Sequence, residues 1–277
     1  MRVVFFGTPE FVVPVLEAIV QNFELVGVVS TPDAKVGRKQ LLTPSPIAQF
    51  AEKHDIACFK PEKLTEDIVP KLRDLHADLF VVASYGKIIP QAVLDIPRFG
   101  SINVHPSKLP LFRGATPIQS QLLDGVTDSA ISFILVDAKM DHGPLLHQEP
   151  FPISATDTNA TLHDSMFLKA AEVLPSIMTD FVAGKISPLE QKHEEATFCK
   201  PFNRESGYFE LENPPSAQKL DRMIRAFYPW PTAWTKWNGK IIKFLPNQMV
   251  QPEGKNPMKW RDFLNGYKDF PYKTLID

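Results

Sequence analysis

Three polar side chains have the types and the spacing to form a reaction site. Asn103 and His105 lie two residues apart in the stretch SINVHP, and residues two apart on a strand point to the same face. An amide N–H beside an imidazole at a strand end can hold a carbonyl oxygen that becomes negatively charged. Asp141 lies on a later loop, from which a carboxylate could orient the imidazole, favour its charged form or accept a proton.

Spacing alone leaves a structural interpretation open for each of these residues. Asn103 is also compatible with a turn residue, His105 with a hydrogen-bonded core histidine and Asp141 with a loop cap. Other motifs that carry chemistry are missing from the sequence. The first strand ends in GTPE, and we find no G-x-G-x-x-G, G-x-x-x-x-G-K-[ST], H-E-x-x-H or G-x-S-x-G. Dinucleotide binding, nucleotide hydrolysis, zinc proteolysis and serine hydrolysis therefore lose support.

The elements that would position these residues alternate between strand and helix in the first half of the chain. Apolar runs at VVFFG, FELVGVVS, ADLFVVASYG and GSINVHP predict strands, with helical patterns between them. This alternation predicts a mainly parallel, doubly wound sheet, in which ligands bind outside the carboxyl ends of the strands. Residues 131–153 indicate two antiparallel strands joined by a loop, and a helix is predicted at about 158–183.

The motifs around the three residues resemble those of the folate-dependent formyltransferase family. NVHPSKLPLFRG followed by MDHGP is similar to the family's Asn-x-His pair, its S-L-L-P turn and its D-x-G loop. FFGTPEFVVPVLEAI, VVASYGKIIP, RGATPIQ and IRAFYPWPTAW resemble the members that formylate methionyl-initiator-tRNA, in the same order along nearly the whole chain. The resemblance implies an α/β fold: a Rossmann-like formyltransferase domain with a mainly parallel sheet, followed by an OB-like β domain.

The resemblance also implies a reaction and catalytic roles. The formyl group of 10-formyltetrahydrofolate, the co-substrate, would pass to the free amino group of methionyl-initiator-tRNA for translation initiation, without a metal. Asn103 and His105 would stabilise the oxyanion, and Asp141 would pair with His105 and manage the protons. Two alternatives remain: an N-formyltransferase acting on an amino-sugar nucleotide or other small amine, and a non-catalytic folate- or tRNA-binding protein.

Two further segments carry implied binding roles. The family's folate-binding turn corresponds here to Ser107, Lys108, Leu109 and Pro110. Lys108 departs from the usual Leu and would either approach the folate's glutamate tail or face water; we expect water. In the family a basic loop after the second strand engages the acceptor end of tRNA. Here that loop would use Arg38 and Lys39.

The resemblance changes near the carboxyl terminus. We predict a catalytic domain at 1–185, a linker at 186–203 and a reduced OB-like domain at 204–277. Strands expected between KIIKF and QMVQPEGK are missing, and too few residues remain for a five-stranded barrel. We expect a hairpin or small sheet packed on the first domain, which leaves the domain's tRNA affinity open.

Composition and charge indicate which binding partners and which cellular compartment to expect. Net charge is −2, yet residues 216–277 hold 11 Lys and Arg against 5 Asp and Glu. This basic part either meets an anionic partner or is a solvated lysine-rich surface. Two cysteines, no long apolar run and no signal-peptide pattern lead us to expect a cytoplasmic protein without a membrane partner, and a monomer.

Overall fold

The computed structural model describes residues 1–37 and 40–271. In chain order the helices and strands of this part are β1 (Arg2–Gly7), α1 (Val13–Asn22), β2 (Glu24–Val29), β3 (Ala34–Val36), β4 (Leu41–Thr43), α2 (Pro46–Lys53), β5 (Cys58–Phe59), α3 (Ile68–Arg73), β6 (Leu79–Ala83), α4 (Gln91–Leu94), β7 (Ser101–His105), β8 (Arg113–Gly114), α5 (Pro117–Asp124), β9 (Asp128–Leu135), β10 (Leu145–Pro152), α6 (Asn159–Val182), β11 (Phe198–Cys199), α7 (Ala217–Ala226), β12 (Ala233–Trp237), β13 (Lys240–Leu245), β14 (Met249–Pro252), β15 (Met258–Lys259) and α8 (Trp260–Gly266). None of the helices described has the length and apolar character needed to cross a membrane.

The described chain forms two compact units. The first comprises Met1–Gly114, Ala130–Phe151 and Asp164–Phe198. The second comprises Ala115–Ser129, Pro152–His163 and Cys199–Asp277. Three segments that are distant in sequence therefore make up the first unit, and the candidate reaction site lies within it.

A seven-stranded sheet in the order β10-β9-β7-β6-β1-β2-β5 is the core of the first unit. The pairs β1–β2, β1–β6, β6–β7 and β2–β5 are parallel, whereas β7 and β9 are antiparallel. The mainly parallel sheet predicted from the sequence is confirmed. Because β1, β6 and β7 run in the same direction, their carboxyl ends meet at one edge of the sheet.

Burial on both faces explains the continuous apolar runs of the central strands. Every residue of β6 is buried, as are five of the six residues of β1. Side chains alternate between the two faces, so Val4 and Phe6 share one core cluster with Phe80 and Val82. Helices α3 and α4 contribute apolar residues to the same cluster. Packing of these two helices therefore stabilises the sheet, and the candidate reaction site lies at the carboxyl edge of that sheet.

A short hairpin lies within the stretch 31–46, which its Pro, Gly and basic residues predict to be a loop. Strands β3 and β4 are antiparallel, and Val36 pairs with Leu41. Both side chains are more than half exposed. Three-residue strands without a buried face leave no alternating pattern, so sequence periodicity missed them. Arg38 and Lys39, the predicted tRNA-binding residues, lie outside the described residues.

The carboxyl-terminal β structure is a four-stranded antiparallel sheet in the order β12-β13-β14-β15. The prediction of a small sheet in place of a five-stranded barrel is confirmed for the described residues. Helix α8 supplies Trp260 and Phe263, which pack against Phe270 with ring centroids 5.8 and 5.0 Å apart. Trp260 also lies 5.8 Å from Phe244 of β13. This aromatic cluster covers one face of the short sheet.

We expect Phe263→Ala to lower the free energy of unfolding by about 3–5 kcal/mol, because it empties the centre of the aromatic cluster. Phe263 is fully buried. Urea denaturation followed by circular dichroism measures the change. Trp230→Ala is the matched control, since Trp230 is 55% exposed and its loss should change stability by no more than about 0.5 kcal/mol. Equal effects of the two substitutions would contradict the assigned role of the cluster.

Candidate active site

Strand β7 places Asn103 and His105 at the carboxyl edge of the sheet. Asn103 lies opposite Val82 of β6 and Ile134 of β9, and His105 lies opposite Ser132 of β9. His105 extends beyond the last paired residue of β6, where the neighbouring strand no longer covers it. The two side chains therefore share a face at the strand end, as their spacing predicts.

A tight loop between β9 and β10 brings Asp141 to the same place. Asp141 has a left-handed backbone, with φ of 49°, which Asp tolerates better than most residues. Two residues later, a Cβ on Gly143 would lie 1.9 Å from the carbonyl oxygen of Leu135. Only glycine permits this close approach, which turns the loop back toward the end of β9.

The carboxylate of Asp141 joins the candidate residues into one cluster. Its Oδ1 accepts a 3.3 Å hydrogen bond from Asn103 Nδ2 and lies 3.6 Å from His105 Nδ1. Its Oδ2 accepts a 2.7 Å hydrogen bond from the backbone N–H of Gly114. The structure thus brings together the three residues that the sequence singled out as catalytic.

Hydrogen bonding determines which nitrogen of His105 carries a proton. Nε2 lies 3.0 Å from the carbonyl oxygen of Phe112, and a carbonyl oxygen only accepts, so we assign a hydrogen to Nε2. In the neutral imidazole, the bare lone pair of Nδ1 then faces Asp141 Oδ1. A proton between these two atoms turns their repulsion into attraction. The separation of 3.6 Å is longer than a hydrogen bond, so the two side chains are close neighbours without a direct bond.

The three side chains differ in how far they are exposed to solvent, and this indicates different roles. The side chain of His105 is 5% exposed and that of Asp141 is 13% exposed, while Asn103 is half-buried. A reactant can reach the amide and the carboxylate, whereas the imidazole lies behind them. The arrangement can donate a hydrogen bond to a developing oxyanion and accept a proton beside it.

The predicted folate turn is built mainly from internal contacts. The Ser107 hydroxyl donates to a backbone carbonyl four residues later at 2.7 Å, and the Leu109 N–H donates to Ser132 Oγ at 3.1 Å. Ser107 and Leu109 are buried, Pro110 is half-buried and Lys108 is exposed. The structure therefore brings the Lys108 side chain to the surface and leaves Ser107 and Leu109 inside.

Gln191 belongs to this site, although the sequence pattern did not indicate it. Its Nε2 donates to the carbonyl oxygens of Asp141 at 3.0 Å and Gly143 at 2.7 Å. Its Oε1 accepts from Arg113 Nη2 at 2.6 Å. Gln191 comes from the stretch 186–203, which the sequence predicts to be a linker. No sequence signal marks it, because its role depends on Arg113, which only the fold brings beside it.

Two histidines extend this network. Arg113 Nη2 lies 2.9 Å from His193 Nδ1, and the His193 ring stacks on the His142 ring with centroids 3.9 Å apart. His142 Nδ1 lies 2.7 Å from Asp137 Oδ2. Over residues 1–37 and 40–271, no three His, Cys, Asp or Glu side chains are grouped as metal ligands would be.

Comparison with known proteins supports the resemblance found in the motifs. The Formyl transferase family model matches residues 1–178, and the Formyl transferase, C-terminal domain model matches residues 214–249. A methionyl-tRNA formyltransferase of Chloroflexus aurantiacus is 38% identical over 258 residues, which cover 92% of this chain and 83% of the relative. A methionyl-tRNA formyltransferase of Bacillus subtilis is 35% identical over 302 residues, covering 96% and 94%.

Solved structures share the fold. The crystal structure of an N-formyltransferase from Helicobacter canadensis, in complex with folinic acid and dTDP-3-aminofucose, has a TM-score of 0.62 at 16% identity. The match covers 90% of this chain and 94% of that chain. The chain belongs to the formyl transferase family, among the methionyl-tRNA formyltransferases that are its relatives.

Proposed function

We propose that this protein transfers the formyl group of 10-formyltetrahydrofolate to the free amino group of methionyl-initiator-tRNA. The observation that carries the proposal is the cluster of Asn103, His105 and Asp141 at the carboxyl end of β7. It occurs in a chain 38% identical to a relative named methionyl-tRNA formyltransferase. As further parts of this proposal, the protein acts in translation initiation, in the cytoplasm and as a monomer.

The first requirement of formyl transfer is to stabilise negative charge on the formyl oxygen. Asn103 Nδ2 carries two hydrogens, and one is directed at Asp141. The second is available to donate to the oxygen. Both ring nitrogens of His105 face groups of the protein, so His105 would support the arrangement of the site rather than contact the formyl oxygen directly.

The second requirement is to move protons. The attacking amine loses a proton and the leaving nitrogen gains one, so a group beside the reacting carbon must do both. Asp141 is more exposed than its neighbour His105. We therefore assign proton transfer to Asp141, with His105 as the buried residue beside it. No covalent enzyme intermediate is needed.

The residues present fit a folate co-substrate. 10-Formyltetrahydrofolate supplies the formyl group, and the partly exposed Asn103 and Asp141 leave the site open to it. Because the polar groups of Ser107 and Leu109 are used internally, the turn 107–110 would support the folate by shape. Lys108 is the member of the turn whose side chain is exposed, and we expect it to face water.

Binding of tRNA is assigned to two basic regions. Arg38 and Lys39 would contact the acceptor end, as phosphate or base contacts. The flanking strands β3 and β4 pair with each other and present exposed apolar residues, including Val36 and Leu41. The basic composition of residues 216–277 would add phosphate contacts.

One observation favours a second acceptor. The C-terminal family model matches only residues 214–249, and the β sheet of residues 233–259 has four strands within the described residues. A reduced domain of this kind would suit a small amine, such as an amino-sugar nucleotide. The 35–38% identity to relatives named methionyl-tRNA formyltransferases favours the tRNA acceptor.

We expect the purified protein to formylate methionyl-initiator-tRNA with 10-formyltetrahydrofolate as donor. The measurement is incorporation of labelled formyl groups into the aminoacyl-tRNA, run in parallel with amino-sugar nucleotides. Uncharged initiator tRNA is the control, because it lacks the methionine amine. Formylation of a sugar without formylation of the tRNA would overturn the proposal.

We expect Asn103→Ala to lower kcat by about 10²–10³-fold, the usual effect of losing one oxyanion donor. Asp141→Asn should lower it by about 10²–10⁴-fold, because an amide keeps the shape of the carboxylate but does not accept the amine's proton. Single-turnover formyl transfer measures both changes.

The controls are Asn22→Ala, at an exposed residue of α1, and Asp180→Ala, at a residue of α6 whose side chain is 42% exposed. Both should retain wild-type rates. Circular dichroism must show all four variants folded. A near-normal rate for either site variant would refute the role assigned to that residue.

A further inference from the structure

The turn that carries Asp141 is held by a buried side chain that the proposed chemistry does not use. Gln191 is 5% exposed, and its Nε2 donates both of its hydrogens. One goes to the carbonyl oxygen of Asp141 at 3.0 Å and the other to that of Gly143 at 2.7 Å. A single amide group thus ties together the two ends of the turn.

Arg113 determines how the Gln191 amide is oriented. Its Nη2 and Nε lie 2.6 and 3.3 Å from Gln191 Oε1. A guanidinium only donates hydrogen bonds, so Oε1 must face Arg113 and Nε2 must face the two carbonyls. Arg113 is 3% exposed, and its position in β8 places Gly114, whose N–H binds Asp141 Oδ2, next to it.

The backbone of the turn needs such a restraint. A left-handed conformation at a non-glycine residue such as Asp141 costs about 1–3 kcal/mol and persists only when the surroundings enforce it. Among the described residues, the Asp141 carboxylate has one short bond, that from Gly114, since the Asn103 contact is 3.3 Å and the His105 contact 3.6 Å. Small movements of the turn would therefore separate Asp141 from its two partners.

We propose that Gln191 is a positioning residue for formyl transfer. It holds the Asp141–Gly143 turn so that the Asp141 carboxylate stays between Asn103 and His105. The kinetic consequence rests on the proposed function, whereas the effect on the Asp141–Gly114 hydrogen bond does not. Two substitutions distinguish positioning from a general contribution to stability.

Gln191→Glu is the more informative variant. A carboxylate at this position keeps its interaction with Arg113 but offers no hydrogens to the carbonyls of Asp141 and Gly143. If Gln191 served only to satisfy buried Arg113, this variant would be stable and active. If Gln191 positions the turn, the variant is folded but slow. Gln191→Ala removes both the acceptor for Arg113 and the donor to the two carbonyls.

The first measurement is hydrogen exchange of the Gly114 amide, followed by NMR. We expect Gln191→Glu and Gln191→Ala each to lower its protection at least about tenfold, because Asp141 Oδ2 moves away from it. Gln121→Ala is the matched control: Gln121 is also a buried glutamine, bonded to the Pro117 carbonyl and Ser129. The control should leave Gly114 unchanged. Unaltered Gly114 protection in both Gln191 variants would overturn the proposal.

The second measurement is kinetic. We expect Gln191→Glu to lower kcat by about 10–100-fold with KM for folate nearly unchanged, since misplacement of a reacting group acts on the chemical step. In an Asp141→Asn background the same substitution should have almost no further effect. Fully additive losses would show that Gln191 acts independently of Asp141. Absence of tRNA formylation by the wild type would refute the proposed function alone, and Gly114 exchange would still decide the role of Gln191.

Discussion

The site depends on one constraint: a nearly buried carboxylate must have partners for both of its oxygens. Asp141 meets this requirement through Asn103 on one oxygen and the Gly114 N–H on the other, with His105 3.6 Å away. Each partner comes from the stretch that follows β6. Displacing the carboxylate would leave a buried charge unpaired, so the same contacts that arrange the chemistry also hold the loop in place.

The sheet positions Asn103 and His105, whereas a loop positions Asp141. Parallel strands bring β7 to an edge where its last residues are not covered by β6, and this gives Asn103 and His105 a fixed place. The loop after β9 is not rigid by its own sequence, since Asp141 has a left-handed backbone. Gly143 allows the close turn, and Gln191 ties it from a part of the chain some 50 residues away. Catalytic geometry therefore depends on long-range contacts.

Sequence patterns predicted the parts of this account that rest on local physics. Period-two spacing placed Asn103 and His105 on one face, continuous apolar runs predicted buried parallel strands, and the count of residues predicted the short sheet. Gln191 could not be predicted, because a lone glutamine in a polar stretch has no pattern until the fold brings Arg113 beside it. The β3–β4 hairpin was missed because its strands bury no side chains.

The central claim is that His105 binds the Phe112 carbonyl through Nε2–H and so turns Nδ1 toward Asp141 Oδ1. Nitrogen-15 NMR of the histidine rings tests it most directly, with His105 assigned by its loss in His105→Asn. We predict that Nε2 of His105 carries a hydrogen, which is donated to the Phe112 carbonyl. A neutral His105 with its proton on Nδ1 and a bare Nε2 would contradict it.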